Sequence, residues 1–204
     1  MIFPIVAYGA QILRQVAKDI TPDYPQLDKL IEDMWETMYA SNGVGLAAPQ
    51  INKAIRLFVI DSAQIFANQD EEDSGIYADQ PGTKKVFINA RIKDLDGEEW
   101  MYNEGCLSIP KIREDVKRPE EVVLEYMDEN FKPYTETFVG LTARIIQHEY
   151  DHIEGKLFTD KLSPLRKAML KNRLDSISKG FVKVDYKMKF PALKPGNKGG
   201  KNRR

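Results

Sequence analysis

The sequence predicts an α+β fold. Strand-like segments fill the first two-thirds of the chain, helical periodicity marks both ends, and strands and helices do not alternate in the way that builds a parallel sheet. The 204 residues are enough to bury a substantial core in one domain.

Leu27, Leu30, Ile31, Met34, Trp35 and Met38 recur at helical spacing, which predicts a helix over 25–42 with Gly43 at its stop. That stripe reads as core packing. The glycine-rich loop GVGLAAPQ (43–50) follows, and IRLFVID (55–61) reads as a buried strand. Residues 62–84 read as a surface excursion with a solvated acidic run, Asp70-Glu71-Glu72-Asp73, and a turn at Pro81-Gly82. KVFINA (85–90) is a second strand, and EEVVLEYMD, ENFKP and YTETFVG together read as a hairpin around Asn130. LTARIIQHEYDHI (141–153) is helical with Gly155 as its stop, and Ser163-Pro164 supplies the cap and first-turn residues of a last helix. From Lys187 to Arg204 the chain carries seven Lys or Arg and no acidic residue, and its glycines and prolines predict disorder. The expected organisation is therefore one catalytic domain, 1–186, and a basic tail, 187–204.

Composition narrows the function classes. A net charge of −1 gives no overall reason to expect a nucleic-acid binder. There is no apolar run of about 18 residues to span a membrane. The N-terminal MIFPIVAYGAQILRQ lacks the pattern of a secretory signal and is not an Arg- and Ser-rich transit peptide. The single cysteine allows no intrachain disulfide, fits a reducing cytoplasm and leaves a thiol free for chemistry.

The strongest local signal is His148-Glu149-Tyr150-Asp151-His152. Positions i and i+4 share a helix face, so both imidazoles can reach one ion while Glu149 flanks it. Alone, this pattern also describes a surface helix with two unrelated histidines. Two observations favour a metal site. The chain has only two histidines and both are here, and Leu141, Ile145, His148 and His152 form one stripe apolar enough to be buried.

A catalytic site of this kind needs a third protein ligand and an open position. The extended pattern HExxHxxGxxH fails because Phe158 stands where the third histidine would be, although Gly155 matches. A downstream glutamate is excluded because none follows Glu154; Asp160, Asp175 and Asp185 are weak substitutes. The order HxxEH does not occur. Cys106, in EGCLSIP (104–110), remains as the soft donor, with Gly105 allowing close backbone approach. A lone cysteine is more often a small buried hydrophobe, and a Cys-His nucleophile is the alternative chemistry. One thiolate and two imidazoles make three ligands, which favours an open catalytic ion over a closed structural one. GVGLAAPQ is not a phosphate loop, since it lacks the Gly-Lys-Ser/Thr ending, and Gln50 offers an amide donor for an oxyanion.

The three blocks GVGLAAPQ, EGCLSIP and QHEYDHIEG, in this order and spacing, resemble those of the peptide deformylases. The similarity runs from about Ile5 to about Leu174, and SPLRKAMLKNRL resembles the C-terminal helix of the bacterial type I branch. The excursion at 62–84 and the basic tail depart from the compact members. The resemblance implies antiparallel sheets packed around a central metal-binding HExxH helix, with N-terminal and C-terminal helices. It implies a metal-dependent hydrolase that removes the N-formyl group from the first methionine of new polypeptides. Cys106, His148 and His152 match the metal ligands and Glu149 the catalytic acid/base. Gln50 and the N–H of Leu107 match oxyanion donors, and Gly45 a backbone contact to substrate. Val44 and Arg113 match positions at the methionine pocket. Fe(II) is the implied native metal, with Zn, Ni or Co able to replace it. The expected partners are N-formyl-methionyl nascent chains and, through the basic tail, the ribosome; no membrane is involved, and the expected location is cytoplasmic.

Two rival functions use the same residues. An endopeptidase with HExxH chemistry would cleave unformylated internal bonds, as in casein. A metal-stabilised module docking on RNA through its tail would release no formate.

Overall fold

The computed structural model describes residues 1–67 and 82–191. A five-stranded antiparallel sheet, in the order β2-β3-β4-β5-β6, dominates it. Its strands are β2 (Gly45–Ala47), β3 (Leu57–Asp61), β4 (Lys84–Cys106), β5 (Ile109–Met127) and β6 (Pro133–Val139). The helices are α1 (Leu27–Ala40), a short α2 (Ala63–Ala67), α3 (Gly140–Ile153) and α4 (Pro164–Ser178). A second sheet joins β1 (Ile5–Val6) to β7 (Met188–Lys189). This pair is parallel, so only the larger sheet is antiparallel as expected.

Strand β3 shows why the sheet is covered on both faces. Leu57 and Val59 point into a cluster with Leu30, Ile31, Met34 and Met38 of α1. Phe58 and Ile60 point the other way, among Leu141, Ile145 and Ile146 of α3. A continuous apolar run is what such a doubly buried strand requires. A third cluster packs Leu170, Leu174 and Ile177 of α4 on Ile109, Ile112 and Val116 of β5.

The helix ends follow local chemistry. Ser163 caps α4, its hydroxyl accepting from the Arg166 N–H at 3.2 Å. Beyond α3, Gly155 adopts φ +69°, and a Cβ there would lie 2.8 Å from the Arg14 backbone, so the turn needs glycine twice over.

Two expectations change. Strand β4 runs for 23 residues, far beyond the predicted 85–90, and pairs with β5 through several bulges to form a long ribbon. The tail expected from Lys187 begins inside ordered structure, because Met188–Lys189 pairs with Ile5–Val6. The acidic run at 70–73, Pro81 and residues 192–204 lie outside the described residues. At the base of the excursion, the Ser62 N–H donates to the Thr83 carbonyl at 2.9 Å. Among the described residues no helix is long and apolar enough to cross a membrane.

Candidate metal centre

Cys106 ends β4, and the tight turn through Leu107 and Ser108 leads straight into β5. This turn meets α3, which delivers His148 and His152 from one face. The three ligand atoms lie within 4.8 Å of one another. Cys106 Sγ is 3.2 Å from His152 Nε2. His148 Nδ1 is 2.9 Å from Glu104 Oε2, which leaves Nε2 to face the other donors. Phe158, at the position that excluded a third histidine, stacks on the His148 ring with centroids 6.1 Å apart.

Glu149 lies beside this triad. Its Oε2 is buried and has no hydrogen-bond partner among the described residues. Burial pushes its carboxyl up to about 7; a cation held nearby would act in the opposite direction. The carboxylate rests on the Gly45 backbone so closely that a Cβ at Gly45 would be 2.5 Å from Glu149 Oε1. Two imidazoles and one thiol are a donor set that fits a divalent transition metal with an open position, and the uncompensated carboxylate of Glu149 flanks it.

Gln50 is oriented by the Ala47 N–H, which donates to its Oε1 at 2.8 Å. Its Nε2 therefore points the other way, 3.5 Å from Cys106 Sγ and 3.4 Å from Ser108 Oγ. A cleft of about 660 Å³ opens beside these groups, lined by Val44, Gly45, Gln50, Cys106, Leu107, Arg113, His148 and Glu149. Leu141, Ile145, Ile65 and Tyr102 give it an apolar part. Arg113 stands at its edge, paired in register with Gly105 and donating from Nε to Asn103 Oδ1 at 2.9 Å. All nine residues singled out in the sequence are thus brought to one place.

The sequence reading missed the support behind the triad. Arg118 grips Glu104 through Nε at 2.7 Å and Nη2 at 2.9 Å. Arg118 also donates to Asp151 Oδ2 at 2.7 Å, and Arg144 Nη1 to Glu104 Oε1 at 3.0 Å. All four are buried. Burial works against the Glu104 charge, but the His148 and Arg118 hydrogen bonds overcome it and hold the carboxyl well below the usual range. A signal existed. Arg118 falls on the same inward parity of β5 as Ile112 and Val116, and Arg144 lies one helical turn before His148.

Comparison with known proteins identifies the family. The polypeptide deformylase family profile matches residues 2–168. The peptide deformylase of Christiangramia forsetii is 55% identical over 194 residues, covering 95% of this chain and 98% of that protein. That of Flavobacterium johnsoniae is 53% identical over 196 residues, covering 96% and 100%. The crystal structure of a peptide deformylase from Legionella pneumophila superposes with a TM-score of 0.72 at 38% identity, covering 89% of this chain and 98% of that one. A class I type b enzyme from Acinetobacter baumannii, solved with Met-Ala-Ser bound, gives 0.69 at 31% identity, covering 79% and 99%. The family profile over residues 2–168 and relatives matched over nearly their whole length lead to one conclusion: this chain belongs to the peptide deformylases, the metal-dependent hydrolases that remove the formyl group from the first methionine of new polypeptides.

Proposed function

We propose that Cys106, His148 and His152 hold one divalent ion, natively Fe(II), on the central helix α3, and that Glu149 moves the protons of deformylation. The observation that carries this reading is the convergence of three ligand atoms within 4.8 Å beside a buried carboxylate oxygen with no partner among the described residues. When bound, the ion supplies Lewis acidity toward water and the formyl oxygen. Glu149 takes a proton from the attacking water and returns it to the amine nitrogen of methionine as the C–N bond breaks. Gln50 Nε2 and the Leu107 N–H donate to the oxygen that gains negative charge. Gly45 offers its backbone to the peptide. Val44, the apolar residues of the cleft and Arg113 at its edge receive the methionine side chain. Glu104, held by two guanidinium groups, keeps the His148 ring in place.

The Met-Ala-Ser bound by the Acinetobacter relative is what deformylation of a formyl-Met-Ala-Ser peptide would leave, which supports the same substrate class here. Residues 1–186 form the catalytic domain in this reading, the enzyme works in the cytoplasm, and the basic residues after it attract the chain to ribosomal RNA. Formate release from formyl-Met-Ala-Ser, measured anaerobically with Fe(II) or Ni(II), tests the reaction. Turnover of the formyl peptide with none of the acetyl peptide or casein is the expected result. Casein cleavage without formate release would favour the endopeptidase.

A further inference from the structure

The cleft has a wall that no motif marked, formed by residues 183–186. After α4 the chain turns at Gly180, where the Phe181 N–H donates back to the Ser176 carbonyl at 2.9 Å. It then runs extended. Val182, Val184, Tyr186 and Met188 are half-buried, while Phe181, Lys183, Asp185 and Lys187 are exposed. That period of two turns every second side chain toward the body. Val182 and Met188 pack on the α4 cluster, and Tyr186 on the α1 cluster. The far end is fixed by the Ile5 N–H donating to the Lys187 carbonyl at 2.8 Å and the Ala7 N–H to the Lys189 carbonyl at 2.9 Å. The family profile stops at residue 168, before this segment begins.

The inward residue at the cleft makes one polar contact with it. The Tyr186 hydroxyl donates to the Leu107 carbonyl at 2.8 Å. The next carbonyl, of Ser108, accepts from the Tyr8 N–H at 2.8 Å. Both carbonyls of the turn after Cys106 are therefore held from outside the β4–β5 ribbon. Peptide groups are planar, so the Leu107 carbonyl and the Ser108 N–H move as one unit. Holding that carbonyl anchors Leu107 Cα from its C-terminal side, while the pairing of Cys106 with Ile109 anchors the peptide that carries the Leu107 N–H.

We propose that Tyr186 is a positioning residue for deformylation: by holding the Leu107 carbonyl, its hydroxyl keeps the Leu107 N–H aimed at the oxygen that becomes negative. This rests on the reading of Leu107 as an oxyanion donor. In this role Tyr186 acts through the Leu107 carbonyl. Its contribution is realised where charge develops, so its loss falls on kcat more than on KM.

Tyr186→Phe removes the hydroxyl and keeps the ring. The full-length, metal-loaded variant and wild type are compared for kcat and KM on formyl-Met-Ala-Ser, metal content and Tm. The expected result is a kcat lower by roughly fivefold, the scale of one neutral hydrogen bond, with KM within about twofold and metal content and Tm unchanged. A purely structural role would lower Tm and leave kcat intact. That result, or a kcat equal to wild type, overturns the proposal. If wild type itself releases no formate, the reading of the site fails and this inference falls with it. If wild type turns over and Tyr186→Phe matches it, only the inference fails.

Discussion

Gly45 and Glu149 are in contact across the cleft with no space for another atom. A Cβ at Gly45 would lie 2.5 Å from Glu149 Oε1 and 2.8 Å from its Cγ, so the smallest possible side chain must push the carboxylate away. Displacement of a reacting group by about 1 Å can cost about 10²-fold in rate. Gly45→Ala is therefore expected to keep its metal, measured by elemental analysis, and to lose about two orders of magnitude in formate release. Unchanged turnover would mean that Glu149 does not need its present position. Glu104 acts one layer back. It compensates two buried guanidinium groups and fixes the His148 ring. Glu104→Gln keeps the shape and removes the charge. Two losses are expected: about 10- to 100-fold in metal affinity, as for other residues that orient a ligand, and about 3 kcal/mol in stability, because the arginines stay buried. Metal titration and urea unfolding measure them separately, and wild-type values in both would show Glu104 to be dispensable.

At the scale of elements, legibility followed the hydrophobic pattern. α1, α3 and α4 were readable because apolar periodicity and end signals agree, as with Ser163 before Pro164. Strand β3 was readable as a short apolar run. The ribbon of β4 and β5 was not. From Lys93 to Glu99 every side chain is exposed, so there is no buried face to impose alternation, and Asp96-Gly97 looks like a turn while sitting at a bulge. The cluster of Cys106, His148 and His152 that could hold a metal was readable because two histidines at helical spacing and a lone cysteine leave few choices. The ionic support was not readable in advance, because charges are normally taken as solvated and Arg118 meets Glu104 and Asp151 only through folding. Caps separate from chemistry in the same way. Ser163→Ala removes the acceptor for the Arg166 N–H and is expected to cost about 1 kcal/mol in urea unfolding. Formate release per folded molecule should not change, and a fall in kcat would tie the start of α4 to the site.

At the scale of the molecule, the two ends of the described chain close on each other and on the cleft. β1 and β7 pair, the Tyr8 N–H holds Ser108, and the Tyr186 hydroxyl holds Leu107. Met188 and Lys189, which the charge pattern assigned to the tail, are thus paired with the start of the chain. Residues 192–204 carry five Lys or Arg and no acidic residue. Such a stretch attracts polyanions through counterion release, an effect that weakens steeply with salt. Deleting 192–204 is expected to leave kcat on formyl-Met-Ala-Ser unchanged and to reduce co-sedimentation with ribosomes, most strongly at low salt. Deleting from Lys187 removes β7 as well. Ile5 and Ala7 then lose their carbonyl acceptors, and both Tm and turnover should fall. Equal co-sedimentation of full-length and 192–204-deleted proteins at low salt would remove the tail from ribosome docking. Equal Tm for the two deletions would show that the β1–β7 pair carries no stability.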